Sequence, residues 1–165
     1  MSAGALRSMQ IRDYRPATDY DGIRRCLVEL QDFERDLDAR LPGGEDIVDE
    51  YIPQLLRRCV RYAGKVIVAD LDSAIAGYVS IWTRVTSGEL EDGDLLYGYV
   101  SDIVVRQEYR GAGVGRRLLE AAEDFARDND VRYLRIAVLA ANRMAHDLYR
   151  AAGFADYSVE MEKTL

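Results

Sequence analysis

The chain has 165 residues, a net charge of −7 and 48% hydrophobic residues, with a pI near 4.8. That length suits a single domain, residues 1–165, built on one core. The acidic balance argues against tight binding to bulk DNA or RNA, which needs a basic face for its phosphate contacts, and no apolar run reaches membrane-spanning length.

Residues 1–10 lack the apolar core of a secretory leader, and Met9 reads either as an alternative start or as the first strand residue. Residues 10–14 form a short strand candidate before Pro16. Asp19 or Asp21 can cap a helix reaching residue 36, with Ile23, Leu27, Leu30 and Phe33 roughly on one face. Leu41-Pro42-Gly43-Gly44 breaks the chain, and a second helix over residues 46–62 carries Ile47, Tyr51, Leu55, Leu56 and Cys59. Pro53 is expected to bend or restart that helix, because proline lacks the N–H and crowds the preceding turn. Cys26 and Cys59 sit in apolar helix-like contexts and read as buried free thiols of a cytoplasmic protein.

Residues 65–70 and 74–85 are strands joined by a hairpin at Leu71-Asp72-Ser73. Residues 86–94 are polar, acidic and glycine-containing, hence a loop, and residues 95–105 are the next strand. A helix follows with apolar residues at Val114, Leu118, Ala122, Phe125 and Ala126, and ends at Asn129-Asp130. Residues 131–139 read as a strand, residues 142–152 as a short helix closed by Gly153, and residues 154–162 as terminal β structure. The order β-α-α-β-β-β-α-β-α-β describes a mixed α/β fold. Its first half is antiparallel, and its later β-α-β crossover makes two strands parallel.

That crossover contains Arg110-Gly111-Ala112-Gly113-Val114-Gly115. A glycine-dense turn from strand to helix leaves backbone N–H groups bare at the positive end of the helix dipole, with no Cβ to block approach. A phosphate or pyrophosphate is the natural guest. The dinucleotide fingerprint, counted from Gly111, would need a third glycine where Arg116 stands. The triphosphate loop needs Gly-Lys-Ser/Thr, but Gly115 is followed by Arg116 and Arg117. What fits is Arg-x-x-Gly-x-Gly, with Arg110, Gly113 and Gly115. It is followed by the strand Leu-Arg-Ile-Ala-Val-Leu over residues 134–139, then by Asn142, Ala145, Leu148, Tyr149 and Gly153-Phe154. In these features the sequence resembles the GCN5-related N-acetyltransferase (GNAT) superfamily, specifically over about residues 95–160 and in element order over residues 9–94.

The resemblance implies a central, mostly antiparallel sheet flanked by helices, with two parallel strands splayed apart at the cofactor. It implies an N-acetyltransferase that moves an acetyl group from acetyl-CoA to a primary amine of a small molecule or peptide by direct attack in a ternary complex. Gly111, Ala112, Gly113, Val114, Gly115 and Arg116 would cradle the coenzyme A pyrophosphate through backbone N–H groups, with Arg110 or Arg117 in reach. Ile103, Val104 and Val105 would offer main-chain groups to the pantetheine arm, freed by a β-bulge near Asp102, and the Val104 N–H would polarise the acetyl carbonyl. Asn142 and Tyr149 are two helical turns apart and share one face. In the family the first contacts pantetheine and the second protonates the leaving thiolate. Asn142 also suits an N-cap. Asp102 is the first choice to take the amine proton, with Glu29, Glu34, Glu50 and Glu89 behind it. The other reading is a non-catalytic acetyl-CoA sensor.

The single histidine, His146, has no Cys or His cluster around it, so no metal is expected. The acceptor is expected to be read by residues 20–60 and 86–94, without nucleic acid or membrane, and a homodimer is compatible with the resemblance. Glu89, Glu91, Asp92 and Asp94 point to a cationic acceptor drawn in by charge. Replacing these four acids with their amides is expected to raise the acceptor KM at low salt and to lose that effect at high salt. Steady-state kinetics across ionic strength measure it.

Overall fold

The structure, a computed structural model, describes residues 8–165. The leader reading of residues 1–10 therefore lies mostly outside the described residues. Five strands and four helices follow: β1 Met9–Asp13, α1 Pro16–Leu37, α2 Gly44–Arg61, β2 Lys65–Leu71, β3 Ala74–Val85, β4 Tyr97–Val105, α3 Val114–Asp128, β5 Leu134–Ile136 and α4 Arg143–Ala151. The sheet order is β1-β2-β3-β4-β5. The first three pairings are antiparallel, and β4 with β5 is parallel.

Strand alternation splits the core into two layers. Val68, Tyr78, Trp82 and Val104 pack with Ile23, Leu27, Ile52 and Leu55 of α1 and α2. Ile67, Val79, Ile81 and Val100 pack on the opposite face with Val114, Leu118 and Ala122 of α3 and Tyr149 of α4. The β2–β3 hairpin turns on Asp72 and Ser73, both left-handed at φ +52° and +70°. Such a two-residue turn matches the twist of the flanking strands.

Several expectations change. Helix α1 starts at Pro16, whose missing N–H costs nothing at a helix start. Asp19 therefore caps from inside. Its carboxylate accepts the Arg15 N–H at 2.7 Å and the Thr18 hydroxyl at 2.9 Å. Pro53 interrupts nothing, since α2 runs through it with the ring on the exposed face. Strand β5 keeps only three of the expected nine residues, and residues 154–162 form no strand. The terminal segment alternates apolar and polar residues, but a strand exists only against a partner edge. The segment is held instead by side chains: the Arg135 guanidinium lies 4.0 Å from both the Tyr97 and Tyr157 ring centroids.

One buried ion cluster ties β1, α1 and β2 together. Arg12 donates to both Asp19 oxygens at 2.7 and 3.0 Å, and to Asp70 at 2.8 and 3.2 Å. Asp19 is almost wholly buried, yet its hydrogen bonds to Arg12 hold its carboxyl below the usual value. A depressed carboxyl stabilises the fold above its ordinary pKa, near 4, and loses that contribution as the pH falls through the lower folded value. Asp19→Asn, which removes the charge-assisted bonds to Asp19 while Arg12 keeps Asp70, is expected to cost about 2 kcal/mol at pH 7. The gap from wild type should narrow in acid, as read by urea unfolding at pH 7 and pH 3.

Candidate active site

The site begins with an irregularity in β4. Ser80 pairs with Asp102 but Ile81 pairs with Val100, which leaves Ser101 as an extra residue. This bulge reverses two alternations at once. Before it, the Gly98 N–H points to β5 and donates to the Tyr133 carbonyl at 2.8 Å. After it, the Arg106 N–H points to β3 and donates to Ala76 at 2.9 Å. Counting back by twos, the N–H groups of Val104 and Asp102 also face β3, and those of Ile103 and Val105 face away. The Val105 carbonyl does turn outward, where it accepts from Arg110 Nε at 3.0 Å. The Val104 N–H is therefore committed to the sheet and cannot polarise an acetyl carbonyl; the outward groups belong to Ile103 and Val105.

Strand β5 does not fill this outward edge. It pairs with β4 only over Gly98–Val100 and then diverges. The resulting cleft, of about 260 Å³, is walled by Ser101, Asp102 and Ile103 on one side and residues 136–139 on the other. Leu30, Gln31 and Glu34 of α1, Tyr51 of α2, and Asn142, Ala145 and Tyr149 of α4 close it.

The bulge also swings Asp102 off the α3 face, where Val100 points, onto the α1–α2 face. There Oδ1 accepts the Tyr51 hydroxyl at 2.7 Å and Oδ2 accepts the Tyr78 hydroxyl at 3.0 Å. Burial raises the Asp102 pKa against the pull of these two hydrogen bonds. Neither tyrosine stood out in the sequence. The available signal was a phenol at core positions in an apolar strand and on an apolar helix face, where a hydroxyl needs a partner.

The other carboxylates separate. Glu29 is an anchor: it accepts Arg106 Nε at 3.0 Å and the Gln107 N–H at 3.1 Å, fixing the end of β4 to α1. Glu50 and Glu89 are exposed, outside the cleft wall. Glu34 alone joins Asp102 in the cleft, and burial together with the Asp102 charge raises its pKa.

At the far end of β4 the glycine loop turns into α3. Gly111 and Gly113 are left-handed, at φ +78° and +76°, and a Cβ at either would meet nothing within 4 Å. Gly113 is the N-cap, so the first N–H groups of α3 have no partner inside the helix. A Cβ on Gly115 would lie 3.3 Å from Leu148 and 3.5 Å from Val105, so this glycine lets the helix start sit close to β4 and α4. No acid lies in the first turn of α3. Arg116 pairs with Glu120 at 2.8 Å and Arg117 donates to the Met9 carbonyl at 3.4 Å; both are exposed. The open N–H cradle and the basic turn fit a pyrophosphate.

Asn142 caps α4, its Oδ1 accepting the Ala145 N–H at 3.2 Å. Tyr149 is 8% exposed and faces the cleft from the same helix. Burial first, and Glu34 second, push its hydroxyl up to about 12, so it stays protonated at neutral pH. His146 lies outside the cleft wall and accepts from Arg150 Nε at 3.2 Å. Among the described residues no group of His, Cys, Asp or Glu is placed to hold a metal, and no helix is long and apolar enough to cross a membrane.

If the cradle holds a phosphate, Gly113→Ala strains a left-handed residue by about 1–2 kcal/mol and so disturbs the turn that presents the bare N–H groups. Coenzyme A affinity is expected to fall about tenfold by calorimetry, with the far-ultraviolet spectrum unchanged; equal affinity would show that the cradle is not used.

Comparison with known proteins agrees with this geometry. The chain is 34% identical over 162 residues to thialysine N-epsilon-acetyltransferase of Mus musculus, covering 92% of this chain and 86% of that protein. It is 43% identical to the Bos taurus enzyme of the same name, but over only 58 residues, 35% of this chain and 34% of that protein. A solved structure from Bacillus halodurans superposes with a TM-score of 0.79 at 21% identity, over 94% of this chain and 99% of that one, which shows the fold. The Acetyltransferase (GNAT) family model matches residues 29–154, so the chain belongs to the GNAT acetyltransferase family.

Proposed function

We propose that this protein transfers the acetyl group of acetyl-CoA to the primary amine of a small, lysine-like acceptor. The observation that carries the donor side is the continuity from the α3 N-terminus, along the outward backbone of Ile103 and Val105, to the cleft that Tyr149 faces. A pyrophosphate at one end and a thioester at the other match that run of groups. Helix dipole and unpaired N–H groups bind the diphosphate, outward strand groups receive the pantetheine amides, and Asn142 closes the arm from α4.

The acceptor side is carried by charge. The cleft holds Asp102 and Glu34, and a cationic amine lowers the cost of both buried negative groups. The name of the mouse relative, with 34% identity over most of both chains, favours an amine at the end of a flexible amino-acid side chain. The amine attacks the thioester carbonyl, the carbon–sulfur bond breaks, and the Tyr149 hydroxyl protonates the departing thiolate. Since the nucleophile is the substrate itself, no acyl-enzyme is needed.

Thiol release from acetyl-CoA against thialysine, lysine, polyamines, aminoglycosides and short peptides tests this reading. Selective release with a lysine-like amine is the expected result. Tyr149→Phe is expected to lower kcat about 100-fold or more while leaving coenzyme A affinity within twofold; unchanged turnover would remove Tyr149 from the mechanism.

A further inference from the structure

The two carboxylates in the cleft differ in what already surrounds them. Both Asp102 oxygens accept a tyrosine hydroxyl, from Tyr51 and from Tyr78. Tyr78 is about 1% exposed, so its hydroxyl has no water to turn to. A proton arriving on Asp102 would weaken the acceptance of these two hydroxyls, and losing either bond in so buried a place costs about 1–3 kcal/mol. Glu34 has no such clamp. It stands half-buried on α1 in the cleft wall, and its carboxylate makes no hydrogen bond or ion pair among the described residues. It is the ionisable group in the cleft with free capacity for a proton.

We infer that Glu34 takes the proton from the acceptor's ammonium group, and that Asp102, clamped by Tyr51 and Tyr78, stays ionised as a fixed charge that positions the ammonium. This inference rests on the acetyltransferase reading above and names the base within it. The proton balance closes. The ammonium passes one proton to Glu34 and becomes a neutral amine, whose lone pair forms the nitrogen–carbon bond as the carbon–sulfur bond breaks. The thiolate takes the Tyr149 proton. The second nitrogen proton, acidic once the amide bond forms, restores Tyr149, and Glu34 releases its proton to water. The ionisable groups facing Glu34 are Asp102 on β4, Tyr51 on α2 and Tyr149 on α4. Arg58 acts on Asp102 and Tyr51 from α2. Asp102 raises the proton affinity of Glu34, as a base working near neutral pH requires.

The test measures kcat/KM against pH for the full chain with acetyl-CoA and thialysine, or whichever amine of the panel above the wild type acetylates. The wild type is expected to lose activity in acid. Glu34→Gln is expected to lose about 100-fold at pH 7 and to replace the wild-type acid limb with a rise that continues up to the pH of free-amine ionisation, where no base is needed. Its coenzyme A affinity should stay within twofold of wild type. Asp102→Asn should keep an acid limb moved to lower pH, because the charge that raises Glu34 is gone. A Glu34→Gln enzyme that keeps the wild-type limb, or an Asp102→Asn enzyme that loses it, overturns the assignment while the acetyltransferase reading stands. A wild type that acetylates none of the amines overturns both.

Discussion

The outward-facing backbone of β4 is the constraint on which the rest of this molecule turns. A strand inside a sheet normally spends its N–H and carbonyl groups on two neighbours. Here one neighbour withdraws after three residues, and the extra residue Ser101 re-phases the strand just beyond that point. Ile103 then presents its main-chain groups to the cleft, and Val105 turns outward beyond it with its carbonyl bonded to Arg110. Leaving backbone polar groups unpaired in an enclosed place costs free energy, so such an arrangement persists where a ligand completes it. The same bulge turns Asp102 toward α1 and α2, so the donor edge and the acceptor-side charge arise from one local change.

The helices hold that irregular strand in place. Glu29 of α1 bonds both the Arg106 side chain and the Gln107 N–H, which fixes the end of β4 where regular pairing stops. Gly115 brings α3 against Val105 and Leu148. The third-glycine position of a dinucleotide fingerprint serves close helix packing; in this chain that packing falls to Gly115, while Arg116 in the fingerprint position points to solvent. The acid cluster of Arg12, Asp19 and Asp70 lies at the other edge of the sheet. It is a structural device in which one arginine bridges two carboxylates.

Charge inside the cleft is organised differently. Asp102 raises the proton affinity of Glu34, while Arg58 acts on Asp102 from a distance, and no arginine or lysine in the described residues bonds to either carboxylate. Tyr51 and the buried Tyr78 serve the first, and among the described residues nothing bonds the second. A free carboxylate and a protonated phenol, Tyr149, thus line the same cleft, which is what the proposed cationic acceptor and its proton transfer rest on.

The glycine loop, the helix start and the Asn142–Tyr149 spacing were legible because they depend on residues close in sequence and on helical periodicity. The strands of the first half were legible for the same reason. The errors have local causes too. Pro53 reads as a bend or restart of α2, but the helix runs through it: its ring faces water and its neighbours are packed by α1, so tertiary burial outweighs one lost hydrogen bond. The terminal alternation of Tyr157, Val159 and Met161 looks like a strand, yet period-two patterning carries no information about whether a partner edge is within reach. Val104 was assigned an outward N–H because the phase of a bulged strand cannot be counted until the bulge is located.

The sequence by itself determined the order of the elements from β1 to α4 and the glycine-dense turn at the start of α3, because each is written in short-range spacing; the role proposed for Tyr149 came from the family resemblance. Only the tertiary structure decided which carboxylates enter the cleft. Glu29, Glu34, Glu50 and Asp102 are equivalent as letters in a chain. Their roles separate only when α1 lies across the bulged end of β4, giving Glu29 an arginine, Asp102 two tyrosines, Glu50 to solvent, and leaving Glu34 in the cleft with no partner of its own.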